Sequence, residues 1–568
     1  MARQEQTLPM TKIRAIVANN SIQLIGLNKS QIACYRPDSM LFHFWEMIMN
    51  NAIRFPTQGE LVRFIFNSSG ILADRHDQSD DTQKEIERIE KQLQRLAKED
   101  GKFLKNFDDC QALLREKLIR IFQDDYWVTA MGQTLLDLFQ CYLDTLHHEG
   151  TFRDKQTNTA YLIESVWMSR LTLSLFKYKW QFHQHFQKFQ LPDTPFWFLG
   201  QDQQTPLKLV IDWIYQVAGH TTTSFHASPN EILAQRDLEN VRHWRQGKHL
   251  PTWHDLEQTF QRAMQQHKIE PDQQQLFKTY LFLARWASDV LEQLQHNYGV
   301  DFTKNLIMQF KQKFGLLEQA FLPAYHERPP ELEHLLQQKA EGFSLEQTQE
   351  MHDQLCMDLF FKYLATCQQN IAQLAQHSPK KFAEATQNIS LFQPLEQYCI
   401  VTISHVLTTL PKYQAKDTEY PAIENMLQGY DIITGKRRDI DQWLQDHEQS
   451  QAHVIFPWLK SWVLGRHALL KQQLQQAHEH LKYGFSIIKY SACRQHRFVE
   501  DYLAVCAKLK KKQDFDKALS WARYMDHFEQ WQGKLPLDCE DDFLFQQYQN
   551  AFIHRSGLFF GYNSDDFS

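Results

Sequence analysis

The chain reads as an all-α protein of several helical domains, with a C-terminal repeat array, and three observations carry that reading. Glycine is scarce, 19 in 568 residues, under half the usual share of roughly 7%. Leu, Gln, Lys, Glu and Ala are abundant while runs of Val, Ile and Thr are few, which favours helix over strand. Apolar residues recur three to four apart along most of the chain, the spacing of one helix face. Hydrophobic residues make up 43% and aromatics 13%, ample material for packed cores rather than a disordered chain. The length predicts three or four domains.

Charge and cysteine usage narrow the setting. A net charge of −7 excludes a globally basic nucleic-acid coat but leaves room for a local basic patch. The 26 histidines make that charge sensitive to pH near neutrality. No two of the nine cysteines stand three apart as the C-x-x-C pattern requires, so free thiols in a reducing cytoplasm are expected rather than a disulfide frame or structural zinc. The opening residues carry no apolar leader, and no run of about 18 uncharged apolar residues suggests a membrane span.

In chain order, residues 1–36 are the least helical; Asn19-Asn-Ser21 could turn a small hairpin. A helical domain is expected over 37–190. It opens with Leu41, Phe44, Trp45 and Ile48, and restarts after Pro56, where Thr57 and Glu60 form a capping box. Beyond an acidic break at 74–81, Ile86, Ile89, Leu93 and Leu96 trace a short coiled-coil seam that should fold back on Leu113, Leu114, Leu118 and Phe122 as an arm over 82–122. Helices follow at Trp127–His147 and Ala160–Phe189, the second with an aromatic stripe. His183 and His185 at its end point apart, so no metal pair is expected.

The segment 206–268 is the most distinctive. Leu207–Ala218 should form a helix, Ser228-Pro229 should open a short one bearing Ile232 and Leu233, and a further helix should follow Arg236. Val241 and Trp244 share one face, Gly247 can end the helix in the left-handed conformation, and Thr252 after Pro251 can cap a helix carrying Leu256 and Phe260. This resembles the second half of the phage-repressor class of helix-turn-helix domains, over about twenty-five residues. The resemblance implies a recognition helix presenting Glu239, Asn240, Arg242 and His243 to base edges of double-stranded DNA. Arg245, Lys248 and Arg262 would then neutralise phosphates. Residues 233–268 hold six Lys/Arg against four Asp/Glu.

From Pro271 long helices are expected at Gln273–His296, Asp301–Phe321, Pro330–Gly342 and Ser344–His377, with a helix pair across 379–410, all within a 271–410 domain of divergent repeats. A polar linker spans 411–422. Within 422–556, Leu464-Gly465, Ala468, Ala477, Leu481 and Gly484 are echoed by Tyr502, Val505, Cys506, Leu509, Phe515, Ala518, Ala522 and Met525. These offsets resemble the tetratricopeptide repeat, a helical hairpin whose small residues let two helices approach closely. The resemblance implies a concave groove lined by Trp462, Arg466, Leu503 and Lys510 that takes a peptide or protein partner. The tail 557–568 should fray.

No phosphate-cradling, nucleophile-elbow or metalloprotease motif occurs, and His478 and His480 flank Glu479 at the wrong spacing for one metal. Neither a catalytic residue nor a cofactor is therefore expected. The leading expectation is a cytoplasmic regulator that binds DNA mid-chain and a partner through its repeats, with a homodimer as one open arrangement. The competing reading is a helical-repeat scaffold or adaptor that never touches nucleic acid. A nucleic-acid-processing enzyme with a dispersed site is third.

Overall fold

The computed structural model describes residues 53–71, 80–98, 103–148, 154–185, 192, 196–201, 204–326, 345–409, 417–437, 439–491, 495–525, 540–555 and 557–561. Outside these residues lie the 1–36 hairpin, the helix over 37–48, most of the acidic break at 74–81, the Pro330–Gly342 helix and most of the 411–422 linker. The side chains of His183 and His185 fall outside too.

The protein is all-α. Helix α1 (Gln58–Ser69) starts at the Thr57–Glu60 capping box read from the sequence and ends at Gly70 in the left-handed conformation. Helices α2 (Asp80–Lys98) and α3 (Phe103–Phe122) follow, with α4 (Asp125–His148) behind them. The expected seam closes within the molecule: Ile89, Leu93 and Leu96 are buried, and Leu113 lies in the same core. Helix α5 (Lys155–Tyr161) runs through a π-helical stretch, Leu162–Trp167, into α6 (Met168–His185).

The middle of the chain supplies α7 (Pro206–Ala218), the one-turn α8 (Thr222–Phe225), α9 (Glu231–Arg245) and α10 (Trp253–Gln266). The long α11 (Pro271–Tyr298) and α12 (Val300–His326) come next, then α13 (Leu345–His377), α14 (Pro379–Gln387) and α15 (Pro394–Thr409).

The last third is a row of helical hairpins. Helix α16 (Tyr420–Ile433) pairs with α17 (Ile440–Gln449), and the short α18 (Ala452–Ile455) leads to α19 (Leu459–Leu470) and α20 (Leu474–Ile488). Helices α21 (His496–Lys508) and α22 (Lys512–Tyr524) complete the row. The small residues sit where helices meet. A Cβ on Gly465 would lie 2.6 Å from Leu481 Cγ, and one on Gly484 would lie 2.8 Å from Phe498 Cζ. Gly429 approaches Trp443 in the same way, so α16–α17 is a further hairpin of the row. The chain then forms α23 (Asp541–Asn550) and a hairpin of β1 (Phe552–His554) against β2 (Gly557–Phe559). The first residues of the expected tail are therefore a paired strand, with Leu558 buried.

Three hydrophobic cores organise these helices, and they cross the boundaries drawn from composition. One core joins Phe55, Phe66, Leu93 and Tyr142 near the start of the chain to the whole C-terminal row, including Trp443, Trp462 and Trp521. Arg54 reinforces the junction by donating to the carbonyls of Val454 (2.6 Å) and Ile455 (3.3 Å), while the backbone N–H groups of Arg54 and Phe55 both donate to the Tyr490 carbonyl. A second core gathers α7 and α9–α11 with the end of α3, around Trp213, Trp244, Trp253 and Phe260. A third packs α6 against α12, α13 and α15 around Phe176, Phe314 and Phe360.

Candidate nucleic-acid interface and repeat groove

The local structure around α9 follows its residues closely. Asn230 caps the helix by accepting from Leu233 N–H at 3.2 Å. Val241 and Trp244 are 0% and 2% exposed, so the indole plugs the second core. Gly247 adopts φ 65°, and the N–H groups of Gly247 and Lys248 close the helix end onto Trp244 and His243 carbonyls. Thr252 then caps α10 by accepting from Asp255 N–H at 3.1 Å.

One expected feature is absent. The short helix bearing Ile232 and the helix after Arg236 are a single continuous α9 from Glu231 to Arg245, without a turn at Ala234. The preceding turn falls at 226–230, and α8 before it has only four residues. No residue in 233–236 stops the helix, because Leu, Ala, Gln and Arg are all strong helix formers.

The seven residues proposed to touch DNA divide into two groups. Glu239, Arg242 and Lys248 are exposed, and Asn240 and His243 are half-buried. All but Asn240 line an open groove of about 740 Å³ between α9 and the 223–228 stretch, whose walls include Glu231, Leu238, Glu239, Arg242, His243 and Lys248. Arg245 and Arg262, each about a third exposed, are instead paired with the fold's own carboxylates. Arg245 bonds Asp212 at 2.5 Å and Thr222 at 3.0 Å, and its guanidinium lies over the Tyr215 ring. Arg262 forks onto Asp237 with contacts of 2.9, 3.0 and 3.2 Å. The correction has a simple cause. Asp237 is 5% exposed, and a buried carboxylate needs a cation and several donors to hold its charge. Arg262 meets this need for Asp237, and Arg245 is paired with the part-exposed Asp212, so each guanidinium already holds a carboxylate.

Beneath this surface Tyr215 and His226 share a hydrogen bond of 2.9 Å. Burial, with Arg262 and His267 nearby, pushes the His226 pKa down to about 4, so the ring stays neutral. Burial holds Tyr215 well above the usual tyrosine range despite Arg245.

The expected partner groove in the hairpin row is closed. Trp462 is 1% exposed, Arg466 3% and Leu503 0%; Lys510 alone of the four faces water, in a left-handed turn with φ 58°. Both oxygens of buried Asp501 are taken, one by Trp462 Nε1 at 3.0 Å and the other by Arg466 at 2.6 Å. Arg466 also donates to the His554 carbonyl, and Lys508 reaches the Gln549 carbonyl at 3.1 Å. The face expected to hold a partner is covered by the chain's own α23 and β-hairpin. Burial raises the Asp501 pKa against the pull of Arg466. No local sequence signal announces this cover, because the covering segment stands 88 residues from Arg466.

Among the described residues no group of three His, Cys, Asp or Glu is arranged to hold a metal, and no helix is long and apolar enough to cross a membrane. His478 is tied to Asp514 at 2.9 Å. No protein-family model, curated protein or solved structure matches this chain.

Proposed function

We propose that the protein is a helical scaffold that docks a protein partner through the outer face of α9, and that it does not read duplex DNA. The observation carrying this is the commitment of Arg245 and Arg262 to Asp212 and Asp237. With those cations neutralised, the remaining surface alternates Glu231, Arg236, Glu239 and Arg242. Alternating charge repels a phosphate backbone about as much as it attracts one, but it suits a protein surface of complementary pattern. The hairpin row, resembling tetratricopeptide repeats, is in this reading the rigid frame rather than the receptor.

DNA reading keeps one favourable observation, the solvent-facing Arg242 and Lys248 beside the Gly247 turn. A fluorescence-anisotropy titration of the full chain with mixed-sequence duplex DNA decides between the readings. The scaffold reading expects no steep salt-dependent binding. Tight binding that falls with salt and is lost in Arg242→Ala/Lys248→Ala would overturn it.

A further inference from the structure

We infer that the partner for α9 is the α9 of a second copy of this chain, laid antiparallel across a two-fold axis. This rests on reading α9 as a protein-docking face and names its occupant. At 100° per residue, Glu231, Ile232, Gln235, Arg236, Glu239, Arg242 and Gln246 fall on one side of the helix, and all seven are exposed. Ile232, the first apolar residue of that face, is 83% exposed, a large aliphatic side chain without cover. Arg236 reaches its own buried neighbour Asp237 only at 3.7 Å and is 60% exposed, because Asp237 is already held by Arg262. The Arg236 guanidinium is therefore directed outward.

The order of charges along this face determines the pairing. It runs acid, base, acid, base through Glu231, Arg236, Glu239 and Arg242. A parallel copy in register would set each charge against its like. An antiparallel copy, turned about a point between Arg236 and Glu239, sets Arg236 against the partner's Glu239 and Glu239 against the partner's Arg236. About that point Glu231 comes opposite the partner's position 244, two residues or about 3 Å of helix rise from the partner's Arg242, a gap the two long side chains span, and Ile232 gains cover from the same stretch of the facing helix. This is an isologous contact, in which one patch complements itself and the assembly closes as a dimer. Exposed ion pairs contribute little each, and one helix pair is smaller than a standard interface. The dimer is consequently reversible and concentration-dependent.

Sedimentation equilibrium of the full chain tests this. The wild-type mass rises with concentration from 67.6 kDa toward twice that value. Arg236→Glu and Glu239→Arg each abolish the rise, since each sets like charges together twice. The double variant R236E/E239R recovers it, and so does an equimolar mixture of the two single variants, because both arrangements restore opposite charges at both contacts. Thermal unfolding of every variant verifies that the fold is kept. A wild-type mass that stays constant, single variants that still dimerise, or a double variant and a mixture that both stay monomeric would overturn the inference. The DNA titration fails or succeeds independently of this result.

Discussion

Arg242 and Arg466 lie on helices of similar length, each read from the sequence as a surface anchor, and they meet opposite fates. Arg242 faces water beside an open groove. Arg466 is sealed between Asp501, 35 residues away, and the carbonyl of His554, 88 residues away. Helical register places both on a definable face. Whether that face stays open depends on what later segments lay over it. The same holds within the mid-chain site, where Arg242 and Arg245 are three residues apart. Asp212 reaches one and no described carboxylate takes the other.

The contrast can be broken first at its buried end. Arg466→Ala leaves Asp501 as an uncompensated charge in the core of the hairpin row, and we expect a loss of about 3–5 kcal/mol in urea unfolding. A loss below 1 kcal/mol would mean that the pair is not sealed. Acid separates the two regions next, because each holds a histidine that burial pushes well down. His226 and His447 are both pushed down to about 4, chiefly by burial. Unfolded histidine titrates near 6.5, so the unfolded chain binds more protons between pH 6.5 and 4. Stability therefore falls as pH drops through that window, by on the order of 2–3 kcal/mol per histidine. His447→Gln should flatten the profile, and an unchanged profile in both His447→Gln and His226→Gln would refute the assignment.

A third test concerns close approach. Gly465→Ala drives a methyl group into Leu481, and overpacking of this kind costs about 1–3 kcal/mol, read as a lower melting temperature. Arg262→Ala removes the main partner of Asp237, and we expect a smaller loss of about 1–2 kcal/mol, because that guanidinium is 34% exposed. Arg242→Ala should stay within about 0.5 kcal/mol; a larger change in its thermal unfolding would place Arg242 in the structure rather than on the surface.

Much of the local architecture was legible in the residues. The Thr57–Glu60 box, the Val241–Trp244 plug, the Gly247 turn and the Thr252 cap are all short-range chemistry, settled within four residues. The small residues of the hairpin row were legible for the same reason. The site was legible only in half: exposure of Glu239, Arg242 and Lys248 follows from register, but the capture of Arg245 and Arg262 depends on acids 33 and 25 residues upstream. The merging of the first described helices with the C-terminal row carries no local trace either.

That junction constrains how the protein comes into being. Phe55, Phe66 and Leu93 share one hydrophobic core with side chains from beyond residue 420, so that core is incomplete while the ribosome is still reading the middle of the message. At ordinary translation speeds this interval lasts roughly 20–75 s. A premature stop codon near the end would therefore strip part of the lining from the core that the opening helices share with the closing ones.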